Sequence, residues 1–497
     1  MTSLWLDTRG QAAAVDGTEA LADTSYDVVV VGAGITGLAT AHLLTAAGRS
    51  VLVLEARAVG AVATGNTTAK VSLLQGSVYS GIRSHAGETA LADYAAGNRE
   101  AQQWIVDLLG DGPSLQHRDA VTYAETVQGR ARLRSELQAC REAGLDVVEV
   151  GGDDLELPFS ATGILLADQA QIHPLALLDR MVRGVREAGG HVVEGVRVTG
   201  LSAGEPHQLH TTAGPVRGRH VVLATGTPVL DRGLHFARLL PQRSYALAYA
   251  YDGPVPQGMY LSVDRRSRSL RSAPVDGRDY LVVGGNGHTV GRHGSTQGRV
   301  DELHGWAQHA FPGARLTHQW SAQDYRTTDR MPLAGPLLPG QDTVHVATGF
   351  NKWGMTNGVA AAMVLAGRVT GDAPSWGGSY TRRGYGPRRA AEALKLNLEV
   401  GAFLGGGWAL ANLRPLPDTP PGEGEGHVGR DGLAPVAAST VDGTTRTVSG
   451  VCTHLGGVLR WNDAECSWDC PLHGSRFAPD GAVLEGPATR PLPPRDA

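Results

Sequence analysis

The stretch from Asp27 to Glu55 constrains the fold most, because it reads as a strand, a tight turn, a helix and a second strand in that order. Four consecutive valines lead into the pattern G-A-G-I-T-G, which begins at Gly32. Glycines at such a turn let the backbone turn sharply and approach a pyrophosphate, which then sits at the N-terminus of the following helix. Glu55, at the end of the second strand, is placed to accept hydrogen bonds from ribose hydroxyls. The stretch therefore predicts a dinucleotide-binding βαβ unit rather than an ordinary glycine-rich turn.

Length and charge narrow the classes of protein that the chain can belong to. Its 497 residues have room for about two to four domains, and a hydrophobic fraction of 42% with 19% charged residues is that of an ordered protein. The net charge of −5 argues against a nucleic-acid partner. The N-terminus lacks a basic region followed by an apolar run, and no apolar stretch reaches the length of a membrane span. We therefore expect a cytoplasmic protein without a transmembrane segment.

A cluster of thiols and imidazoles lies near the end of the chain. Cys452 and His454 form a C-x-H pattern, and Cys470 and His473 form a C-x-x-H pattern after a short hairpin. This arrangement resembles the Rieske [2Fe-2S] proteins, and the resemblance implies that the two cysteines bind one iron and the two histidines the other. A structural zinc site is the alternative, although such sites usually open with two cysteines two to four residues apart. Cys466 lies outside the pattern and is expected to be a spectator.

Two departures from the Rieske pattern bear on the potential of such a cluster. High-potential members carry a disulfide at the positions held here by Gly457 and Leu472, so this crosslink is absent as a unit. Ser475 matches the family serine that donates to a cluster sulfide, but Phe477 stands where a tyrosine would donate to a ligand thiolate. Losing a donor favours the oxidised cluster. We expect a low-to-intermediate potential.

Two later segments make the N-terminal pattern more specific. Ala224-Thr225-Gly226 closes a buried strand, and the stretch from Val346 to Gly358 leads from a strand into a helix. With the glycine turn, these segments resemble the FAD-dependent amine and amino acid oxidoreductases of the D-amino acid oxidase-like (glycine/sarcosine oxidase) superfamily, over residues 26 to 371. The resemblance implies that the late helix, expected from Met355 to Ala366, points its N-terminus at the flavin, where helix N–H groups stabilise negative charge.

The two resemblances imply the fold class and the domain organisation. We expect an α/β FAD-binding domain of the Rossmann, glutathione-reductase-like type, an inserted α+β substrate domain and a C-terminal all-β Rieske domain. The predicted boundaries are an N-terminal arm at 1–25, the oxidoreductase at 26–389, a helix and linker at 390–426 and the Rieske domain at 427–497. Within the oxidoreductase, the FAD-binding parts are 26–86, 160–235 and 325–372, and the substrate domain comprises 87–159 and 236–324.

The predicted FAD-binding residues follow from the glycine turn, a small polar loop after Glu55 and the two later segments. They are Gly32, Gly34, Gly37, Glu55, Arg57, Thr67, Thr68, Val196, Ala224, Thr225, Gly226, Gly354, Met355 and Thr356. Since no His or Cys stands where relatives attach the flavin covalently, we expect dissociable FAD.

The substrate end of the site departs from the flavoprotein pattern. Where amino acid oxidases carry an arginine that clamps the substrate carboxylate, this chain has Asp324. An anion cannot clamp a carboxylate but can pair with an ammonium group, so an amine substrate is at least as plausible as an amino acid. Arg326 and Arg271 remain as alternative carboxylate partners. The competing interpretation is that all three charged residues form solvated ion pairs on the surface. Lys70, His288 and Asp324 are the predicted catalytic residues.

A second glycine-rich stretch, from Gly284 to Gly291, invites interpretation as a nicotinamide-nucleotide site. No helix pattern continues from it and no strand with a terminal acid follows at the right distance. We expect a turn at the end of a substrate-domain strand instead.

The combined features predict an FAD-dependent dehydrogenase of a C–N bond in an amine or amino acid, with electrons leaving through the Rieske cluster to an external one-electron acceptor. One alternative is a flavin/Rieske reductase in which electrons enter from NAD(P)H or a ferredoxin. The other is a protein that acts on modified RNA, which the acidic balance opposes.

Overall fold

The computed structural model describes residues 1–21, 25–230, 232–292, 294–381, 387–432 and 434–495. The strands, in chain order, are β1 Ser25–Val31, β2 Val51–Leu54, β3 Lys70–Val71, β4 Leu115–Ala124, β5 Val148–Gly151, β6 Thr162–Ile172, β7 His191–Val193, β8 Val198–Leu201, β9 His207–Thr211, β10 Gly214–Leu223, β11 Leu239–Ala250, β12 Met259–Ser262, β13 Arg268–Val275, β14 Arg278–Thr289, β15 Arg315–Thr327, β16 Leu333–Pro336, β17 Val344–Thr348, β18 Gly426–Asp431, β19 Ala434–Val441, β20 Thr444–Ser449, β21 Arg460–Asn462, β22 Ser467–Asp469, β23 Arg476–Phe477 and β24 Val483–Glu485.

The helices, in chain order, are α1 Leu4–Asp7, α2 Ile35–Ala46, α3 Val78–Ala86, α4 Glu88–Leu109, α5 Val127–Glu142, α6 Pro174–Glu187, α7 Gln297–Ala310, α8 Gly354–Thr370, α9 Gly378–Thr381 and α10 Pro387–Leu413. Within the described ranges, no helix combines the length and the apolar character needed to span a bilayer.

The first sheet has the order β16-β17-β10-β1-β2-β7, and the pairings among β17, β10, β1, β2 and β7 are parallel. Its central strands are rich in valine and buried on both faces, as a parallel sheet covered by helices requires. Because the strands run in parallel, the glycine turn after β1, Glu55 after β2 and the Ala224 turn after β10 all come out at one edge. This edge is where an open α/β sheet binds its ligand.

Two glycines let helix α2 lie close to its neighbours. A Cβ at Gly37 would lie 1.9 Å from the carbonyl oxygen of Gly32, so only glycine allows this approach of helix to turn. A Cβ at Gly358 on α8 would lie 2.8 Å from Thr36 Oγ1. Helix α2 is therefore held between the sheet and α8, with its N-terminus at the ligand-binding edge.

The second sheet has the order β15-β11-β14-β13-β12-β4-β6-β3, with β5 beside β6. The strands expected at 243–249, 259–262 and 280–283 are confirmed as parts of β11, β12 and β14. The turn expected at Gly284 to Gly291 is wrong in its extent, because β14 continues to Thr289 and pairs with β11 and β13 through its glycines. Glycines do not end the strand there because neighbouring strands satisfy its backbone groups.

Strand β6, residues 162–172, pairs with β4 in the second sheet, although the sequence placed it in the FAD-binding range 160–235. Strand β15 runs without a break through the predicted boundary between residues 324 and 325. The helices expected between residues 87 and 145 form as α4 and α5, with β4 as the mixed segment between them.

The first residues, predicted as an N-terminal arm, include a short helix packed on the body of the protein. Helix α1 places Trp5 in the core with 1% exposure, and its Nε1 donates to the carbonyl of Thr67 at 2.7 Å. Ser3 Oγ donates to the carbonyl of Gly65 at 2.5 Å. The N-terminal segment therefore supports the polar loop on which Thr67 lies.

The C-terminal part consists of two small antiparallel sheets, β18-β19-β20 and β21-β22-β23-β24. Helix α10 precedes them, and residues 414–425 connect it to β18 without a helix or strand of their own. A hydrophobic cluster that includes Trp468 and Phe477, both fully buried, forms the core of these sheets.

Candidate functional site

A cavity of about 1090 Å³ opens at the ligand-binding edge of the first sheet. Its walls include the loops after β1, β2, β10, β12 and β17, helix α3, the strands β11, β14 and β15 of the second sheet, and residues 484–486 and 489 of the C-terminal part. Concave sites of this kind between layers of structure are the usual places for cofactors and substrates.

The glycine turn forms one end of the cavity. Gly32 has a φ of +106°, and a Cβ there would lie 2.7 Å from the carbonyl oxygen of Ala224. Gly34 lies at the N-terminus of α2, where Thr64 Oγ1 accepts the N–H of Ile35 at 3.1 Å. The turn therefore keeps side chains away from the helix N-terminus, which is the position where a pyrophosphate would bind.

Glu55 lies beside this turn and faces the cavity. Its carboxylate oxygens accept the N–H of Ala33 at 2.9 Å and the N–H of Arg57 at 2.9 Å. Burial raises the pKa of Glu55, while these two hydrogen bonds and the nearby Arg197 and Arg57 oppose the increase. The carboxylate thus fixes the turn and still presents acceptor capacity to the cavity, which fits the ribose of a dinucleotide.

Most of the predicted FAD-binding residues line this cavity. They are Gly32, Gly34, Glu55, Arg57, Thr67, Thr68, Val196, Ala224, Thr225, Gly226, Gly354 and Met355. The described lining does not include Gly37, which packs against the carbonyl of Gly32, or Thr356, whose Oγ1 accepts from Gln75 Nε2 at 3.2 Å.

Lys70 lies in the cavity wall with almost no exposed surface. Its ammonium donates to the carbonyl of Tyr260 and to Ser269 Oγ, both at 2.7 Å. Burial first and the charge of Arg271 second lower the pKa of Lys70 well below its usual value. A lysine held in this way is easily deprotonated, which is the state in which an amine accepts a proton or a hydrogen bond.

Asp324 lines the cavity from β15, next to a loop that the sequence did not connect with it. Its carboxylate accepts the backbone N–H of Lys352, and the side chain of Lys352 also lines the cavity. Burial raises the pKa of Asp324 to about 6, against the lowering effect of the hydrogen bonds and of the Lys352 charge. Lys352 is therefore a site residue that sequence reasoning missed, although it lies inside the segment from Val346 to Gly358.

Three other predicted residues do not reach the cavity. His288, on β14, stacks on Tyr245 with 5.6 Å between ring centroids, and it is not among the described residues that line the cavity. Arg271, proposed as a carboxylate partner, is fully buried and donates to the carbonyls of Thr68, Ala69 and Ile172. Arg326 is likewise not among the described lining residues. The interpretation of Arg271 as a carboxylate partner is wrong, because it is not among the described lining residues and its buried Nε and Nη1 donate to backbone carbonyls.

The C-terminal part brings the two cysteines and two histidines together on two loops. The loop after β20 carries Cys452 and His454, and the loop after β22 carries Cys470 and His473. The two thiols are in hydrogen-bonding contact, and the two imidazole ring centroids lie 5.2 Å apart. Both loops turn in the same way, since Gly456 N–H donates to Cys452 O and Gly474 N–H to Cys470 O, each at 3.1 Å.

This arrangement pairs thiol with thiol and imidazole with imidazole. Among the described residues, no group of three or more His, Cys, Asp and Glu side chains is gathered for a single metal ion, as a zinc site would require. A two-iron cluster needs only two protein ligands on each iron. The buried Nδ1 of His473 has no hydrogen-bond partner within the described chain, as a nitrogen reserved for a metal would. The residues therefore fit a [2Fe-2S] cluster better than zinc.

The two imidazoles face the first part of the chain rather than open solvent. Phe236 packs against His454 and His473, with ring centroids 5.6 and 4.8 Å away. Gln323 Nε2 donates to the carbonyl of Gly474 at 2.8 Å and to Tyr325 Oη at 2.9 Å. Since Gln323 and Tyr325 also line the large cavity, hydrogen bonds connect the loop of Cys470 to the cavity wall.

A buried network of charges joins the same two parts. Arg243 on β11 pairs with Glu465 at 2.5 Å and with Glu485 at 3.1 Å, and Arg476 pairs with Glu485 at 2.8 Å and with Asp469 at 3.0 Å. Burial alone would raise the pKa of Glu465, but Arg243 and Arg476 hold it well below its usual value. The C-terminal sheets are therefore docked through compensated buried charges rather than tethered only by the linker.

Comparison with known families divides the chain as the geometry does. Residues 27–368 match the family model described as FAD dependent oxidoreductase, and residues 422–495 match the Rieske [2Fe-2S] domain.

Individual relatives agree with both matches. The chain is 31% identical over 479 residues to YhfW of Bacillus subtilis strain 168, named as a Rieske 2Fe-2S iron-sulfur protein. The aligned residues cover 95% of this chain and 93% of that protein. It is 52% identical over 54 residues to the chloroplastic cytochrome b6-f complex iron-sulfur subunit of Bigelowiella natans, covering 10% of this chain and 21% of that subunit. The structure of glycine oxidase from Geobacillus kaustophilus superposes with a TM-score of 0.60 at 19% identity, over 73% of this chain and 100% of that protein, which shows a shared fold.

Proposed function

This chain belongs to the FAD-dependent oxidoreductase family and ends in a Rieske [2Fe-2S] domain, and we propose that it is a dehydrogenase of a C–N bond in an amine or amino acid. When bound, FAD supplies hydride acceptance and the cluster supplies single-electron transfer toward an external one-electron acceptor. The observation that carries the proposal is the shared wall, because residues 484–486 and 489 of the Rieske domain line the same cavity as the glycine turn. A Rieske domain packed against the cavity that would hold FAD suits electron transfer within one molecule.

The residues proposed to hold FAD act at two ends of the cavity. Gly32 and Gly34 leave room for the pyrophosphate at the N-terminus of α2, and Glu55 accepts from the ribose. At the other end, Gly354 and Met355 begin α8, whose N-terminal N–H groups favour negative charge on the flavin. Gly37 supports the turn by packing, since a Cβ there would lie 1.9 Å from the carbonyl oxygen of Gly32.

The proposed cluster ligands are Cys452 and Cys470 on one iron and His454 and His473 on the other. Ser475 lies beside the thiols, hydrogen-bonding to Cys452, while its Oγ accepts the N–H of Ala488 at 3.0 Å. A hydroxyl in that position stabilises the ligand set without being a ligand.

Two cavity residues are proposed to act on the substrate. Asp324 attracts the ammonium form of an amine, and its carboxylate is ionised above a pKa of about 6. Conversion of an amine to an imine removes a hydride from carbon and a proton from nitrogen, so a group that accepts the proton helps. The buried Lys70, with its lowered pKa, lies in the same cavity and is the proposed acceptor. His288 is not among the described lining residues of the cavity, so its catalytic role is not retained.

The alternative direction, with electrons entering from NAD(P)H, needs a second nucleotide site. The stretch from Gly284 to Gly291 was the candidate for that site, and it forms the end of β14 and the residues that follow it. The structure therefore offers this alternative less support than the C–N dehydrogenase. The cytoplasmic location and the external acceptor stay predictions.

An anaerobic experiment tests the proposal. The purified full-length protein is mixed with a panel of amines and amino acids and, separately, with NADH and NADPH. Flavin absorbance reports reduction of FAD, and electron paramagnetic resonance reports the reduced cluster. We expect an amine or amino acid to bleach the flavin, with the signal of a reduced Rieske centre appearing afterwards. Bleaching by nicotinamides alone would contradict the proposal and reverse the direction of electron flow.

A further inference from the structure

A second cavity of about 410 Å³ adjoins the large one. The two cavities share five lining residues, namely Arg265, Ser267, Asn286, Gly287 and Lys352. A molecule in the large cavity can therefore extend into the second one. Neither the FAD-binding residues nor the cluster ligands proposed above line the second cavity.

The charges around the second cavity are unbalanced. Four cations, Arg265, Arg266, Arg299 and Lys352, line it together with one acid, Glu302. Glu302 is already compensated, since Arg268 donates to both of its oxygens at 2.8 and 2.9 Å and Arg266 lies 3.4 Å away.

Two of these cations have no charged partner among the described residues, since the side chains of Arg265 and Arg299 make no hydrogen bond or ion pair there. Lys352 Nζ makes none either, although its charge acts on the nearby Asp324. A concave site with an excess of cations attracts anions, because the low-dielectric walls concentrate the field.

Lys352 is held in place by a backbone conformation that few residues adopt. Asn351 and Lys352 are consecutive residues with positive φ, +51° and +69°. Such conformations persist where surrounding contacts enforce them, and they gather at binding sites. Here Asn351 N–H donates to Tyr325 O at 3.2 Å, and Asp324 accepts the N–H of Lys352.

The position of the ammonium depends on the absence of a neighbouring side chain. A Cβ at Gly287 would lie 2.4 Å from Lys352 Nζ, so a larger residue there would displace the ammonium from its place over this strand. Two elements, β15 and β14, therefore combine to direct one cation toward the junction of the two cavities.

We propose that the second cavity is an anion subsite, in which Lys352, Arg265 and Arg299 bind a carboxylate or phosphate group at the far end of the substrate. Charge-assisted hydrogen bonds from an ammonium and two guanidinium groups suit either anion. The identification of the ligand as a substrate rests on the proposed function and makes that substrate an amine with a remote anionic group. Asp324 then faces the ammonium end and the cation cluster faces the anionic end.

A binding experiment tests the subsite without relying on turnover. Acetate, succinate and inorganic phosphate are titrated by calorimetry into the oxidised, FAD-loaded full-length protein and into the variants Lys352→Met, Lys352→Arg and Arg265→Gln. Arg315→Gln is the matched control, because Arg315 is an exposed arginine that lines neither cavity. FAD content and the thermal midpoint establish that each variant is folded.

We expect at least one anion to bind, and Lys352→Met and Arg265→Gln each to weaken it about tenfold, as loss of one charge-assisted hydrogen bond predicts. Lys352→Arg keeps the charge and most of the affinity, and Arg315→Gln leaves the affinity unchanged. The comparison of succinate with phosphate decides which anion the subsite prefers.

Absence of anion binding, or binding that Lys352→Met and Arg265→Gln leave unchanged, would overturn the subsite. That result would not contradict C–N oxidation. Flavin bleaching by an amine without an anionic group would still support C–N oxidation. Conversely, weakened anion binding in the variants sustains the subsite even if no amine bleaches the flavin.

A matched set of amines connects the subsite with the reaction. Propylamine, β-alanine and 2-aminoethylphosphonate present the same amino group with no anion, a carboxylate or a phosphonate. Half-saturation of flavin bleaching at lower concentration for an anionic member, lost in Lys352→Met, supports the substrate class. Equal or better bleaching by propylamine in the native protein would contradict it.

Discussion

Asp324 has two roles within one side chain. One carboxylate oxygen accepts the N–H of Lys352 and so orders the loop after β17, while the residue also lines the cavity. Its raised pKa means that it changes charge near pH 6, in contrast to an ordinary aspartate. The residue therefore couples the shape of the site to its charge.

This coupling predicts a pH dependence. Asp324 is protonated below pH 6 and ionised above it, so its attraction for an ammonium group is gained as pH rises through about 6. We expect the KM for an amine substrate to fall about tenfold between pH 5 and pH 7, which is the effect of one lost or gained charge interaction.

In Asp324→Asn this dependence should disappear, with the KM remaining at its low-pH value. The measurement is the half-saturation of flavin reduction across the pH range. Asp342→Asn serves as the control, because Asp342 pairs with Arg368 on the surface, outside the cavity. A native pH profile retained in Asp324→Asn would remove Asp324 from substrate binding.

Strand β11 is joined to the Rieske sheets by a buried network of charges. Arg243 is 2% exposed, and its guanidinium lies between Glu465 and Glu485, while Arg476 compensates the same acids from the Rieske side. Removing one member of such a network leaves an uncompensated buried charge, which costs far more than a surface ion pair is worth.

We expect Arg243→Met to destabilise the docked protein by about 3–5 kcal/mol. Thermal unfolding and limited proteolysis in the linker at 414–425 are the measurements, since undocking exposes that segment. The double variant Arg243→Met with Glu465→Gln restores the original net charge of the network and should recover part of the loss. Arg446→Met, at an exposed arginine of the Rieske domain, is the control. Equal stability of Arg243→Met and Arg446→Met would show that the network does not hold the domains together.

The FAD site and the cluster site lie in one chain. Gln323 and Tyr325 lie between the cavity and the loop of Cys470. The oxidation of a substrate and the delivery of electrons to an outside acceptor are therefore separable steps in the proposed function. A variant that lacks only the cluster should keep the first step and lose the second.

Cys470→Ser is that variant. We expect it to lose the Rieske signal and to reduce ferricyanide about tenfold more slowly, while an amine still bleaches the flavin. Cys466→Ser is the control, because Cys466 lies on the β21–β22 hairpin outside the ligand loops. Full ferricyanide reduction by Cys470→Ser would mean that electrons leave the flavin without the cluster.

Much of the site could be predicted from residues that are close together in the chain. The glycine turn with Glu55, and the two Cys-His loops, each carry their ligands within about thirty residues, so local pattern is enough to indicate dinucleotide and cluster sites. The short strands at 259–262 and 280–283 were also predicted, because β-branched and aromatic residues favour a pleated, half-buried surface.

Contacts between distant residues could not be predicted in this way. Lys352 meets Asp324 only because the bridge between Arg326 and Phe350 brings the loop after β17 beside β15. Arg271 lost its predicted role because the N-terminal helix and the Thr68 loop surround its guanidinium. The pairing of Arg243 with Glu465 joins residues 222 positions apart. Backbone turns and ligand spacing are set by neighbours along the chain, whereas burial, charge compensation and the lining of a cavity depend on which elements pack together in space.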